Sequence, residues 1–343
     1  VEIGEYAFSS CNPQSIVIPK NVKIIGEHSF SCGDNLAEIR IESKKTKYDS
    51  PKDCNAIIET KTNSLILGCK NTTIPDEVKV IKESAFSSCS FKSILIPSNV
   101  IEIEDYAFAW CNLTSITIPK NVTHIGKNAF HGCYFLESII LNNGITAIED
   151  HSFQYCENLA SIIIPDSVKT IGKEAFDDCT SLVSVTLNEG ITHIGDFTFR
   201  NCSNLQSITL PESIVSIGKG AFEGCTSLTS INIPSNVSSI GDCAFESCTN
   251  LSFMSVHADN KTYDSRENCN AIIHTRSNRL IRGCNNTKIP NSIQSIEHNA
   301  FSCCLKLRKI KIPKNVSKIE ERTFLGCTKL QEINIPHVTS IEE

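Results

Sequence analysis

The architecture follows from a stretch that begins Ile162-Ile163-Ile164-Pro165 and continues through Ile171-Gly172 and Ala175-Phe176 to Cys179. The same residues return every 22 or 23 positions along the 343-residue chain, apart from two intervals of 33. The last strand residue of each copy is apolar: Ile18, Ile41, Ile74, Ile96, Ile118, Leu141, Ile164, Leu187, Leu210, Ile233, Val256, Ile289, Ile312 and Ile335. A fixed period of this length predicts a solenoid, in which neighbouring repeats bury one another's apolar edges.

Each ordinary repeat contains three short segments. Residues 207–210 alternate small polar and apolar side chains, which predicts a half-buried strand that Pro211 ends. Residues 214–218 indicate a second extended segment closed by Gly218, where we expect a positive φ. Residues 220–225 have helical or 3₁₀ spacing. The first segments of successive repeats are therefore expected to stack as one parallel sheet.

The two intervals of 33 residues define enlarged coils at residues 42–75 and 257–290. Their sequences are nearly the same and lie 215 positions apart throughout. In each, two apolar runs flank a short polar loop, which predicts a β-hairpin inserted into the coil. We expect each hairpin to rejoin the main sheet, at residues 73–75 and 288–290.

Two residue types recur in the third segment. A Phe occupies one position in twelve repeats and predicts a stacked aromatic spine. Eleven cysteines follow it by three residues: Cys11, Cys89, Cys111, Cys133, Cys156, Cys179, Cys202, Cys225, Cys248, Cys304 and Cys327. Cysteine is often buried as a thiol, and equivalent side chains point in parallel, which does not suit a disulfide. We therefore expect a ladder of buried thiols.

The enlarged coils carry two further pairs of cysteines. If the first hairpin centres on residues 61–62, Cys54 lies opposite Cys69, and the same geometry places Cys269 opposite Cys284. Directly opposed strand residues have Cα atoms about 4.5–5.5 Å apart, which suits a disulfide. A bulge would break this register, so disulfides and thiols both remain open here. Three other cysteines lack a repeat partner and are expected to be thiols: Cys32, Cys243 and Cys303.

The outward positions of the first segments form the expected binding surface. One row is serine, as at Ser138 and Ser161, and no His or Asp recurs beside it as a catalytic base. The neighbouring row supplies the candidate binding residues Leu95, Thr117, Ile140, Ile163, Thr186, Thr209 and Asn232. Ile140 and Ile163 predict an exposed apolar patch, which can mark an interaction site. The alternative is that they only pack on each other.

The composition limits the classes of function. The net charge is −6 and the pI is near 5.9, so we expect neither a block of Lys and Arg nor a nucleic-acid partner. The chain has no apolar run of the length that spans a membrane, which argues against membrane insertion. No motif indicates a catalytic, cofactor or metal site. We therefore expect a protein that is not an enzyme and has no cofactor.

The Ile-Pro, Ile-Gly, Ala-Phe and Cys positions resemble the BspA-type leucine-rich repeat of 22–23 residues. The resemblance covers essentially the whole chain, although Asn142-Asn143-Gly144 replaces one Pro turn and Gly33 replaces one repeat Cys. It implies a curved, right-handed leucine-rich-repeat solenoid that is β-rich, with short helical or 3₁₀ segments and a parallel sheet on the concave face. We expect a single solenoid over residues 1–343, uncapped at both ends and cut from a longer protein.

Members of the family are described as adhesins, which implies a cell-surface or secreted protein whose targeting segment lies outside this sequence. The implied partner is a protein or glycan on a host or microbial surface, such as host matrix, host cells or other microbes. The resemblance provides no ligand motif. The alternative is a structural spacer or stalk that presents other domains and has no ligand of its own.

Overall fold

The computed structural model describes residues 1–26, 28–30, 35–42, 47–51 and 54–341. The chain divides into two compact units, Val1–Cys179 (unit 1) and Thr180–Glu343 (unit 2). Each unit is a β-solenoid of stacked coils with parallel strands, which confirms the predicted class of fold. The prediction of one continuous solenoid over the whole chain stays a prediction.

Unit 1 contains fifteen strands within its described residues. They are β1 Glu2–Ile3, β2 Ser15–Ile18, β3 Ile24–Ile25, β4 Glu38–Ile41, β5 Tyr48–Asp49, β6 Ala56–Glu59, β7 Ser64–Gly68, β8 Val80–Ile81, β9 Glu102–Ile103, β10 Ser115–Thr117, β11 His124–Ile125, β12 Ser138–Ile140, β13 Ala147–Ile148, β14 Ser161–Ile163 and β15 Thr170–Ile171.

Unit 2 contains fourteen strands within its described residues. They are β16 Ser184–Thr186, β17 His193–Ile194, β18 Ser216–Ile217, β19 Ser230–Ile233, β20 Ser239–Ile240, β21 Phe253–Val256, β22 Tyr263–Asp264, β23 Ala271–His274, β24 Arg279–Gly283, β25 Ser295–Ile296, β26 Lys309–Lys311, β27 Lys318–Ile319, β28 Glu332–Asn334 and β29 Ser340–Ile341.

The most extended sheet of unit 1 forms from the second segments rather than from the first. Strands β8, β9 and β11 pair in parallel, and the hairpin β6–β7 joins them because β7 pairs with β8. The first segments pair in twos, as in β2–β4 and β10–β12. The first segments therefore stack in parallel as predicted, but the expectation that the hairpin joins their sheet is wrong. The hairpin of unit 2 joins in the same way, through β24 and β25.

The glycine that closes a second segment does not have a positive φ, contrary to the expectation for Gly218. A Cβ at Gly218 would lie 2.5 Å from the carbonyl carbon of Gly195 in the preceding coil. At Gly126 it would lie 2.5 Å from the backbone nitrogen of Asp105. Glycine is needed here because the backbones of neighbouring coils approach too closely for any side chain.

The third segments are runs of turns rather than helices. Tyr106 and Trp110 have φ of 55° and 57°, and this left-handed conformation prevents a helical turn. The N–H groups of Tyr106, Phe108 and Trp110 donate instead to carbonyl oxygens of the next coil, over 2.7–3.0 Å. The predicted helical or 3₁₀ segment is therefore wrong, although the inward-facing positions are right. The 3₁₀ helix Arg266–Asn268 lies in the second enlarged coil.

The phenylalanines form the predicted spine within each unit. Phe86, Phe108, Phe130 and Phe153 are fully buried, and successive rings stack with centroids 5.2–5.5 Å apart. The planes of these rings differ by no more than 5°. In unit 2, Phe222 and Phe245 stack in the same way at 5.5 Å. The parallel arrangement follows from the translation that relates successive coils.

The predicted ladder of buried thiols is also present, except that Cys11 is exposed and Cys327 is half-buried. Most of these thiols donate to the carbonyl oxygen of a Phe in an earlier coil, whereas Cys89 and Cys304 donate to Gly68 O and Gly283 O. Cys133 Sγ lies 3.1 Å from Phe108 O, and Cys225 Sγ lies 3.1 Å from Phe199 O. Burial raises the pKa of the Cys133 thiol to about 12. The ladder therefore consists of neutral thiols at physiological pH.

The two enlarged coils share features that explain their similar sequences. The Tyr48 hydroxyl accepts a hydrogen bond from Ile25 N–H over 3.1 Å, and the Tyr263 hydroxyl accepts one from Ile240 N–H over 3.2 Å. Gly68 lies against the Phe86 ring, where a Cβ would come within 2.0 Å of the ring carbon Cε1. The hairpin strand therefore passes directly over the aromatic spine, which requires glycine at this position.

The register assumed for the hairpin disulfides is contradicted by the structure. A bulge between Ile57 and Ile58 pairs Ala56 with Gly68, so Cys54 is one residue out of register with Cys69. The second hairpin has the equivalent bulge. Cys54, Cys69, Cys269 and Cys284 are free thiols in this structure, as are Cys243 and Cys303. Cys32 lies outside the described residues.

The distribution of thiols can be tested by alkylation at pH 8 followed by peptide mass spectrometry. We expect the exposed Cys11 to react rapidly in the folded protein. Cys111, Cys133 and Cys156 should stay unmodified because they are buried and burial raises their thiol pKa values. Unfolding without a reductant should make every cysteine of the ladder and the hairpins reactive. Rapid labelling of Cys133 in the folded state, or a cysteine protected in the unfolded state, would contradict this structure.

Candidate functional site

The strand face of unit 1 brings four of the predicted binding residues together. In β10 and β12 the middle residues Ile116 and Ile139 are buried and the flanking residues point outward. The two strands pair so that Thr117 lies beside Ile140. Strand β14 continues the stack and presents Ile163 at the equivalent position. Leu95 precedes Thr117 in the row, since Lys92 O accepts a 2.9 Å hydrogen bond from Thr114 N–H.

This row, which we call the apolar row, consists of Leu95, Thr117, Ile140 and Ile163. The exposed fractions of Leu95, Ile140 and Ile163 are 85%, 63% and 72%. Most of each of these side chains is therefore free to contact a partner. The neighbouring serines of the same strands are exposed as well. The face is therefore aliphatic along one row and small and polar along the other.

The other three predicted residues lie in unit 2, where the strand face is polar. Thr186, Thr209 and Asn232 are all exposed. Asn232 pairs with Ser255 of the next strand, and the Ser255 hydroxyl donates to Asn232 Oδ1 over 2.9 Å. Unit 2 thus has no aliphatic row at these positions, and its three residues form a separate set.

One feature of the unit 2 face was missed in the sequence, and a second was recognised only at Lys309 and Lys311. Phe253 stands where serine normally recurs and is 63% exposed, and this break in the repeat was a usable signal. Residues 306–314 contain five Lys or Arg and no Asp or Glu. The expectation of a chain without a basic block is therefore wrong. The overall net charge of −6 does not show that the basic and acidic residues are distributed unevenly along the chain.

A second exposed surface lies on the turns of unit 1. Trp110 is 42% exposed and stacks on Tyr106, with ring centroids 6.2 Å apart. His131 lies edge-on to Trp110 at 5.2 Å and to Tyr155 at 5.4 Å. Burial, followed by the nearby His151, lowers the pKa of His131, which keeps its imidazole neutral. This group of rings can offer flat contacts, but it has no groove that would select a ligand.

Each enlarged coil encloses a small cavity at the same place in its unit. The first has a volume of about 170 Å³ and is lined by residues that include His28, Glu83 and Ser84. The second has a volume of about 100 Å³ and is lined by residues that include Cys243 and Asn299. Ligand pockets usually measure about 300–1,000 Å³. These cavities are too small for a drug-sized ligand, so the candidate site remains the strand face.

The described residues contain no group of three or more His, Cys, Asp or Glu side chains that could hold a metal ion. Within the same part of the chain, no helix has the length and hydrophobicity needed to cross a bilayer. The residues that stand out are therefore exposed side chains on a rigid scaffold. Their arrangement can support binding.

Comparison with known sequence families gives a match over the full chain. The family described as BspA type Leucine rich repeat region matches residues 1–65, 56–182, 146–271 and 267–343. The chain belongs to the BspA-type leucine-rich repeat family. The predicted resemblance is thereby confirmed. Among proteins with curated descriptions, none matches this chain.

Solved structures similar to this BspA-type protein include three bacterial leucine-rich repeat proteins. A leucine-rich repeat protein from Bacteroides ovatus is 30% identical over 99% of this chain and 78% of its own, with a TM-score of 0.67. One from Eubacterium ventriosum is 30% identical over 65% of this chain and 62% of its own, with a TM-score of 0.59. A leucine rich cell surface protein from Faecalibacterium prausnitzii is 25% identical over 85% of this chain and 94% of its own, with a TM-score of 0.54.

Proposed function

We propose that this BspA-type protein is a non-enzymatic binding protein of the cell surface, or a secreted one. In this proposal it is an adhesin that contacts host matrix, host cells or other microbes through the apolar row of unit 1. The observation that carries the proposal is the exposure of Leu95, Ile140 and Ile163, at 63–85%. Exposed apolar patches on rigid scaffolds commonly mark interaction sites. The similar Faecalibacterium protein, described as a cell surface protein, supports the location.

The chemistry of the apolar row favours a protein partner. Aliphatic side chains offer no hydrogen bonds to sugar hydroxyls, but they suit the apolar core that protein interfaces form. The serine row beside it can supply hydrogen bonds around that core. Because Thr117, Ile140 and Ile163 lie on strands rather than on loops, little ordering is needed on binding, which reduces the entropic cost.

The test is a binding screen of the whole chain against matrix proteins, mucins and microbial cells, with Ile140→Asp/Ile163→Asp as the variant. We expect saturable binding that the variant weakens about 30-fold or more, since loss of an interface hot spot costs about 2 kcal/mol. In addition, the carboxylates of the two introduced aspartates would have to lose their bound water when the interface forms. The thermal midpoint should stay nearly unchanged, because both positions are exposed.

The matched control is Thr186→Asp/Thr209→Asp, which adds the same charge at the equivalent exposed repeat positions in unit 2. It should bind like the unchanged chain. Equal weakening by both pairs would indicate a general charge effect and contradict the apolar row as the site. Absence of binding to every member of the panel would favour the alternative function, a spacer that presents other domains.

A further inference from the structure

The strand face of unit 2 carries a concentrated positive charge. Residues 306–314 include Lys306, Arg308, Lys309, Lys311 and Lys314, and all five side chains are exposed. The surrounding residues 261–331 contain fourteen Lys or Arg and five Asp or Glu, a net charge of +9. Residues 101–260 contain six Lys or Arg and eighteen Asp or Glu, a net charge of −12. The basic stretch is therefore a local feature of an otherwise acidic chain.

The fold adds a lysine from the neighbouring coil to this stretch. In β26 the side chains of Lys309 and Lys311 point outward on either side of the buried Ile310. They line one shallow depression of about 390 Å³ together with Lys288, which belongs to the enlarged coil. We call Lys288, Lys309 and Lys311 the basic face. These three lysines converge only because successive coils stack.

Most of this charge has no internal counterion. Lys309 Nζ forms an ion pair with Glu332 over 2.7 Å, on the paired strand β28. Within the residues that the structure describes, Lys288, Lys306, Arg308, Lys311 and Lys314 have no ion pair. The hydrogen bond to Glu332 raises the pKa of Lys309, which keeps its ammonium group charged at neutral pH. The face consequently attracts a partner with several negative charges.

We propose that the basic face binds a sulfated linear polysaccharide. Residues two apart on a strand point the same way and are about 7 Å apart, so Lys309 and Lys311 suit a ligand with closely spaced charges. Polysaccharides with a single carboxylate per two sugars space their charges more widely. Lysine ammonium groups on flexible stems can follow an irregular pattern of sulfates. Asn334, which pairs with Lys311, is exposed and can hydrogen-bond to sugar hydroxyls.

Other polyanions fit this face less well. Single-stranded nucleic acids stack their bases on aromatic side chains, and no residue that lines the depression is aromatic. Duplex DNA is usually read by a helix or a two-stranded ribbon that enters the major groove, whereas these lysines line a shallow depression. Anionic membranes are held best by basic residues flanked by inserting apolar side chains, but the residue between the two lysines, Ile310, is buried.

The test measures the affinity of the whole chain for a heparin-derived dodecasaccharide at several salt concentrations. We compare it with Lys288→Gln/Lys309→Gln/Lys311→Gln. Each exposed ion contact changes affinity about threefold, so the triple variant should raise Kd about 30-fold. The dependence of log Kd on log salt should become shallower by about two to three units, because fewer counterions are released. The control is Lys79→Gln/Lys92→Gln/Lys120→Gln, three exposed lysines of unit 1, and it should bind normally.

The competing partners are separate arms of the same experiment. An unsulfated hyaluronan oligosaccharide of equal length, a single-stranded oligothymidylate of equal charge and phosphatidylglycerol vesicles should all bind more weakly. Tighter binding to any of the three, no binding to the sulfated probe, or equal weakening by both triple variants would overturn the proposal. Ile140→Asp/Ile163→Asp leaves these lysines intact, so failure of the proposed function and failure of this inference can be told apart.

Discussion

Above pH 9 the protein is expected to lose stability steeply, because the thiol ladder must stay protonated in the folded state. Burial raises the pKa of the Cys133, Cys248 and Cys304 thiols to about 12, from an ordinary value of 9.0. Between these values the unfolded chain has released its thiol protons and the folded chain has not. The unfolded state therefore binds fewer protons, and the free energy of unfolding falls as the pH rises.

Each such thiol contributes about 1.4 kcal/mol per pH unit. Three of them give a slope of about 4 kcal/mol per pH unit, which is large compared with a typical stability of about 5–15 kcal/mol. The measurement is the free energy of unfolding by urea from pH 7 to 10.5. Cys133→Ala should reduce the slope by about 1.4 kcal/mol per pH unit, even though it lowers stability at pH 7. Cys11→Ala, which removes an exposed thiol, serves as the control.

Loss of an interior ring from the aromatic spine is expected to have the largest effect of any single substitution. Phe130 is fully buried and stacks between Phe108 and Phe153, at 5.4 and 5.5 Å. Phe130→Ala should lower the free energy of unfolding by about 3–5 kcal/mol, since it removes transfer energy and leaves a cavity. Neighbouring coils are related by translation, so neither ring can move into the gap without unstacking from its other partner.

The matched control is Phe8→Ala at the same repeat position. Phe8 stacks on Phe30 at 5.2 Å but is 46% exposed, so less apolar surface is lost and we expect a cost well below that of Phe130→Ala. Urea unfolding followed by circular dichroism measures both variants. Equal costs at the two positions would show that burial in the stack is not what makes the spine important.

The stacking of coils and the identity of the outward residues were predictable from the repeat. Alternation with period two distinguishes the buried Ile139 and Ile162 from the exposed Ile140 and Ile163, and the structure has both pairs as expected. The fold could be read because every repeat presents the same apolar positions. An error in interpreting one repeat would therefore not have changed the interpretation of the others.

The local backbone was less predictable, because different conformations bury the same side chains. A helical turn and a run of turns with left-handed residues at Gly220 and Gly224 both bring Ala221, Phe222 and Cys225 inward. The two conformations differ in their backbone hydrogen bonds, which here run between coils, as from Phe222 N–H to Ala244 O at 2.8 Å. The role of Gly218 was also unpredictable from its own repeat, because glycine is required there by the close approach of Gly195 in the neighbouring coil.

The basic face was only partly predictable, since Lys309 and Lys311 are charged outward positions of the repeat but Lys288 is not. Lys288 and Lys309 are separated in the sequence by residues that include buried Ile293 and Phe301, and only the stacking of coils places them in one depression. The overall net charge averages this region with the acidic residues elsewhere. The apolar row could be predicted because Leu95, Ile140 and Ile163 stand at a repeat position that other coils fill with threonine. A cluster formed by an ordinary coil and an enlarged coil has no such shared repeat position.

The central claim is that the apolar row is the contact surface for a partner, and footprinting of exposed side chains in the complex tests it most directly. The chain is exposed to hydroxyl radicals alone and when bound to the tightest-binding member of the panel. Leu95, Ile140 and Ile163 should be modified in the free chain and protected in the complex. Tyr134 and Phe135, which are 43% and 51% exposed on the turns, should be modified equally in both. Unchanged modification of the apolar row in a saturated complex would contradict the account.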